Sequence, residues 1–151
     1  MTALFCFWSG LGVLTLEDDA LAKMRTETIT LVTETGRHKI TAEIARSPVQ
    51  KARGLMFRTA LGENEGMLFP HAKPQELTMW MRNTYISLDM IFIRGDGTVH
   101  RVAEETEPFS ETIIASQGKV TAVLEMIAGS VRRLKIKPGD RVIHPHFKAK
   151  R

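Results

Sequence analysis

The stretch LTMWMRNTYISLDMIFIRGDGTVHRVA, Leu77 to Ala103, decides the fold. It holds three runs rich in apolar and β-branched residues, Leu77 to Arg82, Leu88 to Arg94 and Val99 to Ala103, and nothing long enough for a helix lies between them. Asn83 to Ser87 joins the first two, and Arg94-Gly95-Asp96-Gly97 joins the next two as a tight hairpin. Short strands joined by turns, without strand–helix alternation, predict antiparallel pairing rather than a parallel α/β sheet.

The same pattern extends outward. Thr28 to Val32 and Lys39 to Ala45 form an expected hairpin around Glu34-Thr35-Gly36-Arg37, with Gly36 able to take a left-handed turn position. Ser47-Pro48 opens a short helix, Ser as N-cap and Pro at the first helical position, which ends near Gly54. Strands follow at Gly66 to Phe69 and Thr121 to Met126, a second short helix at Ala128 to Leu134, and a last strand, Arg141 to His144, after the turn Lys137-Pro138-Gly139-Asp140. The expected fold class is mainly β (α+β): one antiparallel barrel or sandwich with two short helices. At 151 residues the chain has the length of one ordinary domain, with no internal repeat and no low-complexity segment.

The first 22 residues differ from the rest. Ala3 to Leu16 is an unbroken apolar or small run, shorter than the roughly 20 residues that span a bilayer, and Ala20-Leu21-Ala22 supplies an A-x-A cleavage site. This predicts a signal peptide over residues 1–22, a single β-rich domain over 23–147, a basic tail over 148–151, and a periplasmic or secreted product. No Lys or Arg precedes the apolar run, which is unusual for a signal, and a membrane anchor is the competing reading. Cleavage after Ala22 would remove Cys6, the only cysteine, and with it any thiol chemistry or disulfide. The mature chain would then carry 21 bases against 14 acids. Residues 131–151 alone hold eight bases and one acid, so the excess of +7 lies there. A basic face of this kind can contact anionic envelope polymers or lipid head groups, or simply keep the protein in solution. Nucleic acid is not an expected partner, because the bases are not interleaved with aromatic residues.

Five blocks in order carry a family resemblance: Gly54-Leu55-Met56-Phe57-Arg58, Glu65-Gly66-Met67-Leu68-Phe69, Trp80-Met81-Arg82-Asn83-Thr84 with Leu88-Asp89, Val123-Leu124-Glu125 with Ala128-Gly129, and Gly139-Asp140. Together, over roughly residues 28 to 144, they resemble the domain-of-unknown-function 192 family. The resemblance implies a small, mostly β domain found largely in exported proteins, and it supplies no catalytic residues. Met79 stands where an aromatic is usual before the tryptophan, and Ser87 where a proline commonly precedes Leu-Asp.

Within these blocks Arg58, Trp80, Arg82, Asn83, Asp89 and Glu125 form the candidate ligand-binding cluster. Asp89 falls in a row with Ile91 and Ile93, and a carboxylate there needs a partner, since an isolated buried charge costs several kcal/mol. Arg58, Arg82 and the backbone of Asn83 to Ser87 are the expected partners, and stapling that turn is the plain structural alternative. Glu125 lies opposite Leu124 and Met126, which makes it either solvent-exposed or, with Asp89, one half of an acid/base pair. His144-Pro145-His146 and Met79-x-Met81 are weak metal motifs, and no metal or cofactor is expected. His38, His71 and His100 are expected at the surface. With no phosphate loop, no G-x-S-x-G elbow and no Cys pair, the leading expectation is a non-enzymatic envelope binding or accessory module for a small molecule, a glycan or an envelope protein. A small carboxylate-based hydrolase or lyase is the alternative.

Overall fold

In the computed structural model, residues 24–147 are described, and the predicted signal peptide and the basic tail lie outside them. Among the described residues seven strands and two short helices follow in the order β1 Arg25–Thr33, β2 Gly36–Ile44, α1 Pro48–Arg53, β3 Glu65–Met79, β4 Leu88–Ile93, β5 Val99–Ala103, β6 Ile114–Ile127, α2 Ser130–Leu134 and β7 Arg141–Ile143. They make one sheet in the order β5-β4-β6-β3-β2-β1-β7. The sheet curls into a half-barrel whose two edges touch: the Val142 N–H donates to the Gly97 carbonyl at 2.7 Å and the Val99 N–H to that of Asp140 at 2.8 Å.

The fold is mainly β with two short helices, as the strand spacing predicts. Two details differ. One pair is parallel, β2 with β3, because the chain between Ile44 and Glu65 crosses over by way of α1 rather than turning straight back. And β3 is a single long strand covering two expected ones. Its ladder with β6 is broken between Pro70 and Gln75, where Pro70 has no N–H to contribute and the register shifts.

Apolar residues pack on both faces of the sheet. Ile29, Leu31, Ile91, Ile93, Leu124 and Met126 line one face, closed by Val131 and Leu134 of α2. Met67, Phe69, Leu88, Met90, Phe92 and Val123 line the other, where Leu55 beyond α1 covers them. Consequently all six residues of β4 are buried, which is why Leu88 to Ile93 reads as a continuous apolar run interrupted only by Asp89. The helix α1 starts where Ser47-Pro48 predicts. The Ser47 hydroxyl accepts the Gln50 N–H at 3.1 Å, and the Gln50 side-chain oxygen accepts the Ser47 N–H at 3.1 Å, a reciprocal cap that fixes α1 against the sheet.

Candidate functional site

Asp89 is fully buried, but its partners are neither of the expected arginines nor the adjacent turn. Its Oδ1 accepts the Glu105 N–H and its Oδ2 the Val131 N–H, each at 2.8 Å. The carboxylate therefore ties the chain beyond β5 to the first turn of α2, where free backbone donors favour a negative group. Arg58 instead pairs with Glu43, both carboxylate oxygens lying 2.8 Å from Nη2, and Arg82 pairs with Glu111 at 2.8 Å.

Strand register separates the two carboxylates. Asp89 stands opposite Met126 and Met90 opposite Glu125, and residues paired across strands share a face. Asp89 is thus on the α2 face and Glu125 on the other, so they cannot serve as an acid/base pair on one substrate.

Glu125 corrects a second expectation, for it is 4% exposed rather than solvated. Its neighbours across the ladders are Met67 and Met90, both fully buried. Burial pushes its carboxyl up to about 8, with no ion pair or hydrogen bond among the described residues to offset it. At neutral pH it is a protonated acid carrying an O–H donor. It reaches a narrow, open cleft of about 30 Å³, walled by Leu55, Met56, Phe69, Met79, Trp80 and Thr84. Lys51 and Arg53 of α1 stand at the rim.

Two loops are held together to make this mouth. The Phe57 N–H donates to the Asn83 carbonyl at 2.8 Å, and both residues take left-handed backbone angles, φ 65° and 53°. For a phenylalanine that conformation is strained, and here it joins the loop after α1 to the loop after β3, placing Met56 beside Trp80. Trp80 is 42% exposed, and the Arg82 guanidinium lies 4.5 Å from its ring centroid.

Of the six predicted site residues, Trp80 and Glu125 share the cleft, Arg82 stacks on Trp80, and Asn83 contributes its backbone. Arg58 and Asp89 belong elsewhere. Sequence reasoning did not name Lys51, Met56, Phe69 and Thr84 as site residues, although the blocks Gly54 to Arg58, Glu65 to Phe69 and Trp80 to Thr84 contain the last three.

The metal motifs dissolve on inspection. Met79 lines the cleft, whereas Met81 is fully buried with the Thr106 hydroxyl donating to its sulfur at 3.2 Å. His144 is buried, its Nε2 2.9 Å from Glu27 and its Nδ1 accepting the His146 N–H at 3.2 Å, so both ring nitrogens are occupied. Among the described residues no three His, Cys, Asp or Glu side chains converge on one point. Nor is any helix there long and apolar enough to cross a membrane.

The DUF192 family profile, described as Uncharacterized ACR, matches residues 30–144. This chain belongs to that family. Its matched span carries the blocks that build the cleft, from Gly54 to Arg58 through Trp80 to Glu125. Two solved structures share the fold. One, a protein of Sinorhizobium meliloti 1021 provisionally called a transcription regulator, is 41% identical with a TM-score of 0.80, covering 83% of this chain and 98% of that one. The other, a protein of unknown function from Novosphingobium aromaticivorans DSM 12444, is 42% identical with a TM-score of 0.79, covering 82% of this chain and 89% of that one. No curated protein matches the chain.

Proposed function

We propose that this domain is an exported, non-enzymatic binding module whose narrow cleft admits the hydrogen-bond acceptor of a small molecule with an apolar part. One observation carries the reading: Glu125 is a buried carboxyl with no partner among the described residues, and it faces an opening walled by Trp80, Phe69 and Met79. A protonated acid in that setting donates its O–H to a ligand oxygen, while the aromatic and thioether walls take the apolar part. Leaving such a group unsatisfied costs about 1–3 kcal/mol, and a ligand acceptor would recover part of it. Export rests on the apolar run of residues 3–16 and the Ala20-Leu21-Ala22 site.

Contact with nucleic acid is not part of the proposal. Arg132 is paired with Glu105, and Lys135 and Lys137 are both paired with Glu34, so the basic stretch is partly neutralised by the domain itself.

The test is a thermal-shift screen of small esters, amides and glycans against wild type, Trp80→Ala and Glu125→Leu. A ligand that stabilises wild type and neither variant, with both variants folded by circular dichroism, supports the cleft. A shift retained in both variants places binding elsewhere and overturns the proposal.

A further inference from the structure

Beside the Glu125 cleft lies a broader depression of about 350 Å³, which shares with it Lys51, Ala52, Phe69 and Met79. The two form one groove between α1 and β3. Its far wall carries His71, Gln75 and Thr78.

Nitrogen donors gather at that end. Lys51 is half-buried, and its burial holds the ammonium below its usual range. Gln75 Nε2 donates to His71 Nδ1 at 3.0 Å, which leaves the proton on Nε2 and that N–H without a partner among the described residues. His71 is held below the usual imidazole range first by burial and then by the positive charges of Lys51 and His146. His146, whose Nε2 lies 3.1 Å from the Thr121 carbonyl, is likewise held down, mainly by burial, with His144, Arg46 and Lys51 adding to it. Glu76, an exposed residue of β3, is the one acid on the wall of the depression. Glu27 is already engaged by Arg46 at 2.8 Å and by His144. Lys51 and His71 face one groove, the charge of the first opposes that of the second, and with Glu76 the one acid on the wall an incoming anion would relieve the arrangement.

We propose that the joined groove binds an anionic acyl-type molecule: a carboxylate or phosphate monoester head at Lys51 and His71, and a chain that runs along Phe69 and Met79 to place a carbonyl over Glu125. This rests on the reading of the Glu125 cleft and adds the charged end of the ligand. Binding draws a proton onto the His71 imidazole, so affinity falls as pH rises through the imidazole range.

The experiment is calorimetry on the full chain with three probes. Monomethyl suberate carries both the anion and the ester carbonyl, methyl hexanoate only the carbonyl, and inorganic phosphate only the charge. At pH 6 the half-ester should bind at least about tenfold more tightly than either of the others, the scale expected of one charge-assisted contact. That advantage should shrink by pH 8 and vanish in Lys51→Met and in His71→Asn, while methyl hexanoate binding is unchanged in His71→Asn, which lies outside the Glu125 cleft. Two positions are used so that misfolding of one variant does not decide the matter. Equal affinity for the half-ester and methyl hexanoate refutes the anionic subsite and leaves the cleft standing. Phosphate binding as tightly as the half-ester refutes the link between the two ends. Failure of both organic probes overturns the subsite and the cleft together. Flotation on phosphatidylglycerol vesicles separates two sources of such a ligand: flotation lost in Lys51→Met assigns a membrane lipid, and solution binding without flotation assigns a free acid.

Discussion

Replacing Glu125 by Gln should stabilise the protein at neutral pH, and by an amount that depends on pH in a defined way. The native carboxyl titrates near 8 because of burial, whereas in the unfolded chain it returns to its model value of 4.5. Between these values the unfolded state releases a proton that the native state keeps, so wild-type stability falls as pH rises across the window. At 1.36 kcal/mol per unit, the two and a half units between 4.5 and pH 7 correspond to about 3 kcal/mol. Glutamine keeps the shape of the protonated acid and a donor in place of its O–H, brings one further N–H, and cannot ionise. The variant should therefore match wild type near pH 4, exceed it by about 3 kcal/mol at pH 7, and gain little more above pH 8. Urea unfolding at a series of pH values, compared as the difference between the two proteins, measures this directly and cancels every other titrating group. A difference that stays flat from pH 4 to pH 8, or a variant less stable at pH 7, would mean that Glu125 is ionised in the native state and has a counter-charge.

Asp89→Asn should behave in the opposite manner, losing roughly 3 kcal/mol, because an amide can accept only one of the two N–H groups that the carboxylate now holds and turns a donor toward the other. Calorimetry should show a melting temperature lower by about 10 °C, and a change within 2 °C would remove the carboxylate from its place at α2. Mass spectrometry of the protein from its native cells should find a chain beginning near Lys23, and an intact Met1 on cytosolic protein would refute export. Deleting residues 148–151 should reduce retention on anionic vesicles in a salt-dependent way, since exposed charges are screened over about 10 Å at 0.1 M salt. Unchanged retention would reduce the tail to a solubilising extension.

The β architecture was legible because strand periodicity and turn chemistry are local properties, and Leu77 to Ala103 contains both. The parallel contact of β2 with β3 was not, since it joins segments either side of a crossover too short to show a βαβ pattern. Asp89 shows the same boundary more sharply. Its apolar row announced that it needed partners, but those partners are backbone amides 16 and 42 residues away, and amides carry no sequence signal. Glu125 was misplaced for a different reason. Alternation assigned it correctly to the face opposite Leu124, yet equating that face with solvent assumes a sheet covered on one side, and this sheet is covered on both. The cleft itself depends on two residues in left-handed conformations, Phe57 and Asn83, and nothing in the residue type of a phenylalanine forecasts that.

The contact between the two sheet edges has a bearing on behaviour in concentrated solution. A curled sheet that stops short of a full circle would offer two rows of unpaired amides, which other copies could extend. Here the row beside β5 is occupied by the chain around β7, and the approach is so close that a Cβ at Gly97 would lie 2.5 Å from the Val142 oxygen. Gly97 is also at φ 83°, so alanine is disfavoured twice over. Gly97→Ala would spring the seam and leave the molecule folded but adhesive, with light scattering rising as the square of concentration or faster while the spectrum of the monomer hardly changes.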